Sequence, residues 1–163
     1  SETDFASNSP NLEEVEKELR AQIERALNED VKVDYIDTHM LTAESTPELL
    51  ALVKKLSKEY KIPLSGHNGE VIITLWDTPP ERKTDSLVYL MDHLEKDKVN
   101  LLVMHVGLNT PEMDAFYDLN TPADPDKIEL HRSKELEALT SQSFKEALKR
   151  NDVKVITYRN YPK

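Results

Sequence analysis

Apolar residues recur at steps of three and four through Leu12, Val15, Leu19, Ile23 and Ala26 or Leu27, with Glu and Lys between them. This spacing predicts an amphipathic helix, capped by Asn11 and running to about Asn28. A second helix is expected where Thr46 offers a cap and Pro47 takes the first helical position. Its apolar face is Leu49, Leu50, Val53, Leu56 and Tyr60. Thr84 or Asp85 is expected to cap a third helix, carrying Leu87, Leu90, Met91 and Leu94. A fourth is expected from about Ile128 to Lys149, with Leu136, Leu139, Phe144, Ala147 and Leu148 on one face.

Between these helices the period changes. Residues 31–37 are short, β-branched and alternating, the pattern of a strand. Lys61 to Leu64 is a brief apolar segment broken by Pro63 and reads as a short strand. Residues 71–76 are β-rich, and 99–105 are almost continuously apolar, as a buried strand would be. Residues 153–158 read as a closing strand. Strands alternating with helices imply βαβ units and a parallel sheet. Residues 1–10 are polar and read as a disordered lead-in, leaving 11–163 as a single α/β domain. Residues 107–125 form a long, polar, Pro-containing loop, of a length usually functional or disordered.

Composition then removes several functions. The 163 residues carry 21 Lys and Arg against 31 Asp and Glu, a formal net charge of −10. A nucleic-acid partner needs clustered cations, so none is expected. No apolar run approaches the roughly 20 residues that span a bilayer, so no membrane partner is expected either. The absence of Cys excludes disulfides, thiolate metal sites and thiol catalysis. The three glycines, Gly66, Gly69 and Gly107, cannot build a phosphate-cradling loop. The first residue is Ser1 rather than Met, and the expectation is a processed or truncated product.

Active sites of parallel α/β folds lie at the carboxyl ends of strands. There the expected strands run into Asp37 and His39, into Ser65, His67 and Asn68, into His105, and into Tyr158 and Arg159. Asp37 and His39 are two apart, which places both side chains on one face of a strand. A carboxylate beside an imidazole can fix its tautomer, and the pair can ligate a metal or move protons. The alternative is a polar strand end with a capping Asp. His105 is either a site residue or a hydrogen-bonded, half-buried His. His67 reads as a turn residue, His93 as surface or packing, and His131 as a solvated helix start. Arg159 can equally belong to a surface ion pair.

Four segments resemble one family in the right order. Residues 14–27 with the Tyr35-Ile36-Asp37-Thr38-His39-Met40 run resemble the helix and D-S-H segment of the YdjC-like carbohydrate deacetylases. Leu101 to Gly107 is similar to that family's C-H-P-G strand end. Arg132 to Ser141 is similar to its closing R-x-x-E-L-x-x-L-T-S helix, and Val155 to Arg159 to its Y-R strand. The resemblance implies an α/β fold of the variant (β/α) TIM-barrel type found in polysaccharide deacetylases, here incomplete at its amino terminus. It implies metal-dependent removal of N-acetyl groups from sugars such as chitooligosaccharides. By this resemblance His39 is a metal ligand, Asp37 positions it, and His105 is an acid/base or substrate contact. Arg132 and Arg159 are expected to bind the acetylated sugar substrate. The cofactor is a divalent ion, Mg or Zn, which lowers the pKa of bound water and polarises the acetamide carbonyl.

The sequence also departs from the family. The family's opening D-D motif and first metal His have no counterpart, and the His-rich continuation after D-S-H becomes Met40-Leu41-Thr42. Pro of C-H-P-G becomes Val106 and Cys becomes Met104. The chain is therefore expected to be the carboxyl-terminal part of such a domain, inactive alone and weak in metal binding. A barrel fragment leaves sheet edges open, so a second copy or a missing amino-terminal segment is expected to cover them. Two other readings are a non-catalytic sugar-binding or scaffold domain that lost the metal site, and a phosphoesterase on a similar barrel.

Overall fold

The structure, a computed structural model, describes Phe5, residues 7–116 and residues 128–161. Residues 1–4 and 6 of the expected lead-in, and 117–125 of the expected loop, lie outside the described residues. The chain forms two compact units, Ser1–Asn68 with Ile156–Lys163, and Gly69–Val155. Helices dominate both. The class is α/β, with a small two-stranded parallel sheet among the described residues rather than a complete barrel. Among those residues no helix is long and apolar enough to cross a membrane.

In the first unit, helix α1 spans Leu12–Asn28 and starts where expected, because the Asn11 side chain accepts from the Glu13 and Glu14 amides. None of its residues is buried. It meets α2, Pro47–Tyr60, through charge. Glu16 receives Lys55 Nζ at 2.9 Å and Arg20 at 2.6 Å, and Arg20 reaches on to Glu59. These cations hold the Glu16 carboxyl below its usual pKa, Lys55 most strongly. Helix α2 begins at the expected Thr46 cap, whose hydroxyl accepts from the Leu49 amide. Its buried face is Leu49, Leu52, Val53 and Leu56, and Ile62 and Leu64, which follow the helix, are buried as well.

Residues 31–37 do not form the expected strand. Ile36 makes a single parallel bridge to Leu64, through Ile36 N to Pro63 O and Ser65 N to Ile36 O, both 2.8 Å. Pro63 has no N–H to extend that ladder. The expected strand at residues 61–64 is reduced to the same bridge. Residues 153–158 are not a strand either. The Val153 amide closes the preceding helix on Leu148 O, Asp152 is left-handed at φ 52°, and Tyr158–Asn160 form a 3₁₀ turn.

The second unit contains the sheet. Strands β1, Val71–Thr74, and β2, Asn100–Val103, pair in parallel with Val71 opposite Asn100 and Thr74 opposite Val103. They are joined through α3, Lys83–Met91, which starts before the expected Thr84 or Asp85 cap and follows a 3₁₀ turn at Pro80–Arg82. Inside the long loop, Pro111–Asp114 forms a one-turn helix, α4. The expected last helix is two. Helix α5, Ile128–Thr140, ends at Ser141, whose extended backbone and hydroxyl cap α6, Gln142–Arg150, by accepting from the Phe144 amide. Helix α3 packs on α5 and α6, and Leu75, Leu87, Met91, Ala138, Phe144 and Ala147 form the core between them.

An ion pair crosses this core. Lys83 is fully buried, and its Nζ donates to Glu135 Oε1 at 2.8 Å and to Leu75 O at 2.9 Å. Glu135 is 2% exposed, and its second oxygen accepts from the His105 amide at 2.5 Å. Removing one partner strands the other charge in an apolar interior. Lys83→Met is therefore expected to destabilise the protein by about 3–5 kcal/mol. Ser141→Ala, which loses only a cap, should cost about 1 kcal/mol. Urea unfolding of the two variants beside the parent checks both the size and the order of these losses.

Candidate functional site

The residues singled out in the sequence fall into two groups, one in each unit. Asp37, His39 and Arg159 belong to the first, His105 and Arg132 to the second.

In the first unit the chain is extended at Thr38, so Thr38 turns inward and is buried while Asp37 and His39 both face outward. The expected shared face is present, without a strand. Asp37 and His39 make no hydrogen bond to each other or to any other described residue. Directly after His39, Met40 and Leu41 are left-handed at φ 51° and 55°, a conformation costly for residues with a Cβ. The bent segment returns Glu44 to Thr38. The Thr38 hydroxyl donates to Glu44 Oε1, and the other carboxylate oxygen meets His67 Nε2 at 2.5 Å. His67 does sit in a turn, its amide donating to Leu64 O, and its ring is also the partner of Glu44. Sequence spacing gave no sign of this Thr38–Glu44–His67 chain, because Glu44 and His67 are 23 residues apart.

Three tyrosines brace the loop that carries His67. Tyr158 stacks on Tyr35 with ring centroids 4.5 Å apart and on Tyr161 at 5.6 Å. The Tyr158 hydroxyl donates to Ser65 Oγ and accepts from the Gly66 amide, while Tyr161 donates to Asn68 O. Gly66 is left-handed at φ 75°, where glycine carries no steric penalty. Arg159, beside Tyr158, forms an ion pair with Asp34, Nη2 to Oδ2 at 2.7 Å and Nε to Oδ2 at 3.1 Å. This is the ion-pair alternative open in the sequence. The pair engages Nε and Nη2.

In the second unit His105 leaves β2 with an exposed ring. Its backbone is held by Glu135, and its ring lies edge-on to Trp76 with centroids 5.1 Å apart. Gly107 then passes tightly against α5. Its amide donates to Arg132 O at 3.2 Å, and a Cβ there would stand 3.2 Å from Arg132 Cβ. Arg132 Nε is buried without a hydrogen-bond partner among the described residues. Neither Lys83 nor Trp76 was a candidate from the sequence. Glu135 could have been, since it is the E of the R-x-x-E-L segment. Trp76 carried no such signal, because its place beside His105 appears only once the two strands are paired.

A firmly held divalent ion needs several donors. Among the described residues no three His, Asp or Glu side chains gather to hold one. His39 offers a single donor, so these residues by themselves do not fit a closed metal site.

Residues 2–150 match the model of a family described as "YdjC-like protein". Among curated proteins the chain is 29% identical to Carbohydrate deacetylase 2 of Listeria innocua, covering 94% of this chain and 62% of that protein. It is 29% identical to the Carbohydrate deacetylase of Vibrio parahaemolyticus, over 86% of this chain and 55% of that protein. A Carbohydrate deacetylase of Listeria monocytogenes is 27% identical over 91% of this chain and 60% of its own length. The chain thus spans between about half and two thirds of the length of these relatives.

The Asp34–Arg159 pair gives this region a pH signature. The Arg159 hydrogen bond holds the Asp34 carboxyl below the usual carboxylate range, and Asp34 in turn raises Arg159. A lowered carboxyl stabilises fully above its unfolded pKa of about 3.9 and loses that contribution as pH falls through the lower folded value. Asp34→Asn should therefore leave the protein less stable at neutral pH and flatten its acid limb below about pH 4. The change should be small, since the pair is solvent-exposed. Acid titration of parent and variant by circular dichroism measures it.

Proposed function

The chain belongs to the YdjC-like family, and from that premise we propose that it is part of a metal-dependent hydrolase that removes N-acetyl groups from an amino sugar or oligosaccharide. The observation that carries this reading is the family match over residues 2–150, joined to relatives named carbohydrate deacetylase. His39 is the ligand this chain offers to Mg or Zn, and Asp37 faces the same side without a hydrogen bond to it. A bound divalent ion would supply an activated water and a polarised carbonyl.

The chain's own residues handle the remaining tasks. Amide hydrolysis leaves an amine that must gain a proton, and His105, exposed beyond β2, is the group assigned to deliver it. Glu135 fixes the His105 backbone, so the imidazole starts from a defined position. By the family resemblance Arg132 in the second unit and Arg159 in the first are each a candidate substrate contact. Arg132 Nε is buried without a hydrogen-bond partner among the described residues, and Arg159 keeps Nη1 outside its pair with Asp34.

A non-catalytic sugar-binding domain is the second reading, favoured by Leu41 and Val106 at positions where the family motifs differ. An assay of acetate release separates the two. With added Mg or Zn, the full-length protein should release acetate from N-acetylated chitooligosaccharides and leave phosphoesters intact. His105→Ala should lower the rate about 10²-fold or more. Binding without acetate release would favour the second reading, and phosphoester cleavage would overturn both. Calorimetry with Mg and Zn tests the metal part. The isolated chain should bind weakly, and tight stoichiometric binding would count against the single-ligand assignment.

A further inference from the structure

We infer that Trp76 and His105 form one wall of a carbohydrate-binding subsite, with the indole as a stacking platform for a pyranose ring. The inference takes its ligand class from the carbohydrate reading above, and its position from the sheet.

The placement follows from register. Strands β1 and β2 pair with Val71 opposite Asn100 and Thr74 opposite Val103. The ladder ends there: Leu75 and the turn residue Trp76 follow β1 as Met104 and His105 follow β2, which brings Trp76 and His105 to the same end of the sheet. Side chains alternate along each strand. Leu75 enters the core, while Trp76 and His105 leave it together. The rings meet edge-on at 5.1 Å. This is the carboxyl end of a parallel pair, the end at which such sheets present their ligands.

The exposure of Trp76 is unusual for its size. A tryptophan removes a large apolar area from water when buried, yet Trp76 remains 47% exposed. Its indole N–H has no hydrogen-bond partner among the described residues. Tyr158 differs. Its ring is covered by Tyr35 and Tyr161, and its hydroxyl is engaged with the 65–66 loop. Trp76 thus combines an accessible flat apolar surface with a free donor, beside an imidazole that can donate or accept. A pyranose offers the matching features: axial C–H groups on one face, and hydroxyl or acetamide oxygens at its rim. Ligand sites pair aromatic surface with a few polar groups. The platform is rigidly founded. Leu75 O accepts from Lys83, and the His105 amide donates to Glu135, so one buried ion pair holds the backbone on both sides.

Trp76 is the chain's single tryptophan, so intrinsic fluorescence reports this position alone. The chain is titrated with the β-1,4 trimer of N-acetylglucosamine, with maltotriose and sodium acetate as controls. Binding is measured in parallel by calorimetry. The trimer should give a saturable blue shift, and acetate none. Trp76→Ala should weaken calorimetric binding about tenfold, an aromatic contact of ordinary strength. Trp76→Phe, which keeps a flat ring, should recover most of the affinity. Circular dichroism of both variants confirms that they fold. Trimer binding equal in Trp76→Ala and parent would overturn the subsite and leave the deacetylase reading intact. No trimer binding by the parent chain would also overturn it. Trp76-dependent binding in a full-length protein that releases no acetate would support the subsite and refute the deacetylase reading.

Discussion

Much of the second unit hangs on a charge pair that has no water around it. Lys83 and Glu135 come from helices 52 positions apart in sequence and meet at 2.8 Å inside an apolar core. Desolvating two ions is expensive, and such pairs persist where their remaining donors and acceptors are also satisfied. Here they are. Lys83 spends a second hydrogen bond on Leu75 O at the end of β1, and Glu135 spends its second oxygen on the His105 amide at the end of β2. Four segments are therefore tied at one point: the exits of both strands, the first residue of α3, and the middle of α5. Hydrophobic contacts around Leu87, Ala138 and Ala147 could accommodate small slides between these helices, because apolar packing is non-directional. The ion pair is directional and admits little slippage.

The first unit solves a similar problem with different chemistry. Its helices α1 and α2 meet through Glu16, Arg20, Lys55 and Glu59 at the surface, where each pair is screened and individually weak. Its loops are held instead by stacked tyrosines and by the Glu44 carboxylate, which bridges Thr38 and His67. Asp37 and His39 stand outside these bonds. They flank a buried Thr38 on a backbone that bends at once through two left-handed residues. Groups without structural partners are free to meet a ligand, whereas Thr38, Glu44 and His67 are occupied in holding the segment.

Helices α1 and α2 were legible because each announced itself twice, by an apolar period and by a cap. Asn11 and the Thr46-Pro47 pair sit where the local rules put them. The strands were legible only where a partner existed. Residues 71–74 and 100–103 pair along their length, while 31–37 has the same alternating appearance and finds one bridge, next to a proline without an amide hydrogen. Ser141 shows the limit at helix ends. The apolar stripe runs past it from Leu139 to Phe144, yet Ser141 is extended and its hydroxyl takes the Phe144 amide, so the chain breaks there. Of the site, the outward-facing residues Asp37, His39 and His105 were visible as polar groups ending apolar runs. Trp76 was read only as the end of a β-rich run, because its meaning depends on what lies opposite.

Local pattern alone determined the starts of α1 and α2, the exclusion of nucleotide-loop and thiol chemistry, and the motif order that leads to the YdjC-like family. These properties depend on residues within a few positions of one another, where spacing translates directly into geometry. Only the tertiary structure decided that Lys83 is a core residue, that Glu135 is an anchor for His105, that Glu44 belongs to His67, and that Trp76 lies beside His105. Each of these is a meeting of positions separated by 23 residues or more. Hydrogen bonds, ion pairs and ring contacts act over a few ångströms of space and carry no trace along the chain, so only the folded register could bring them to view.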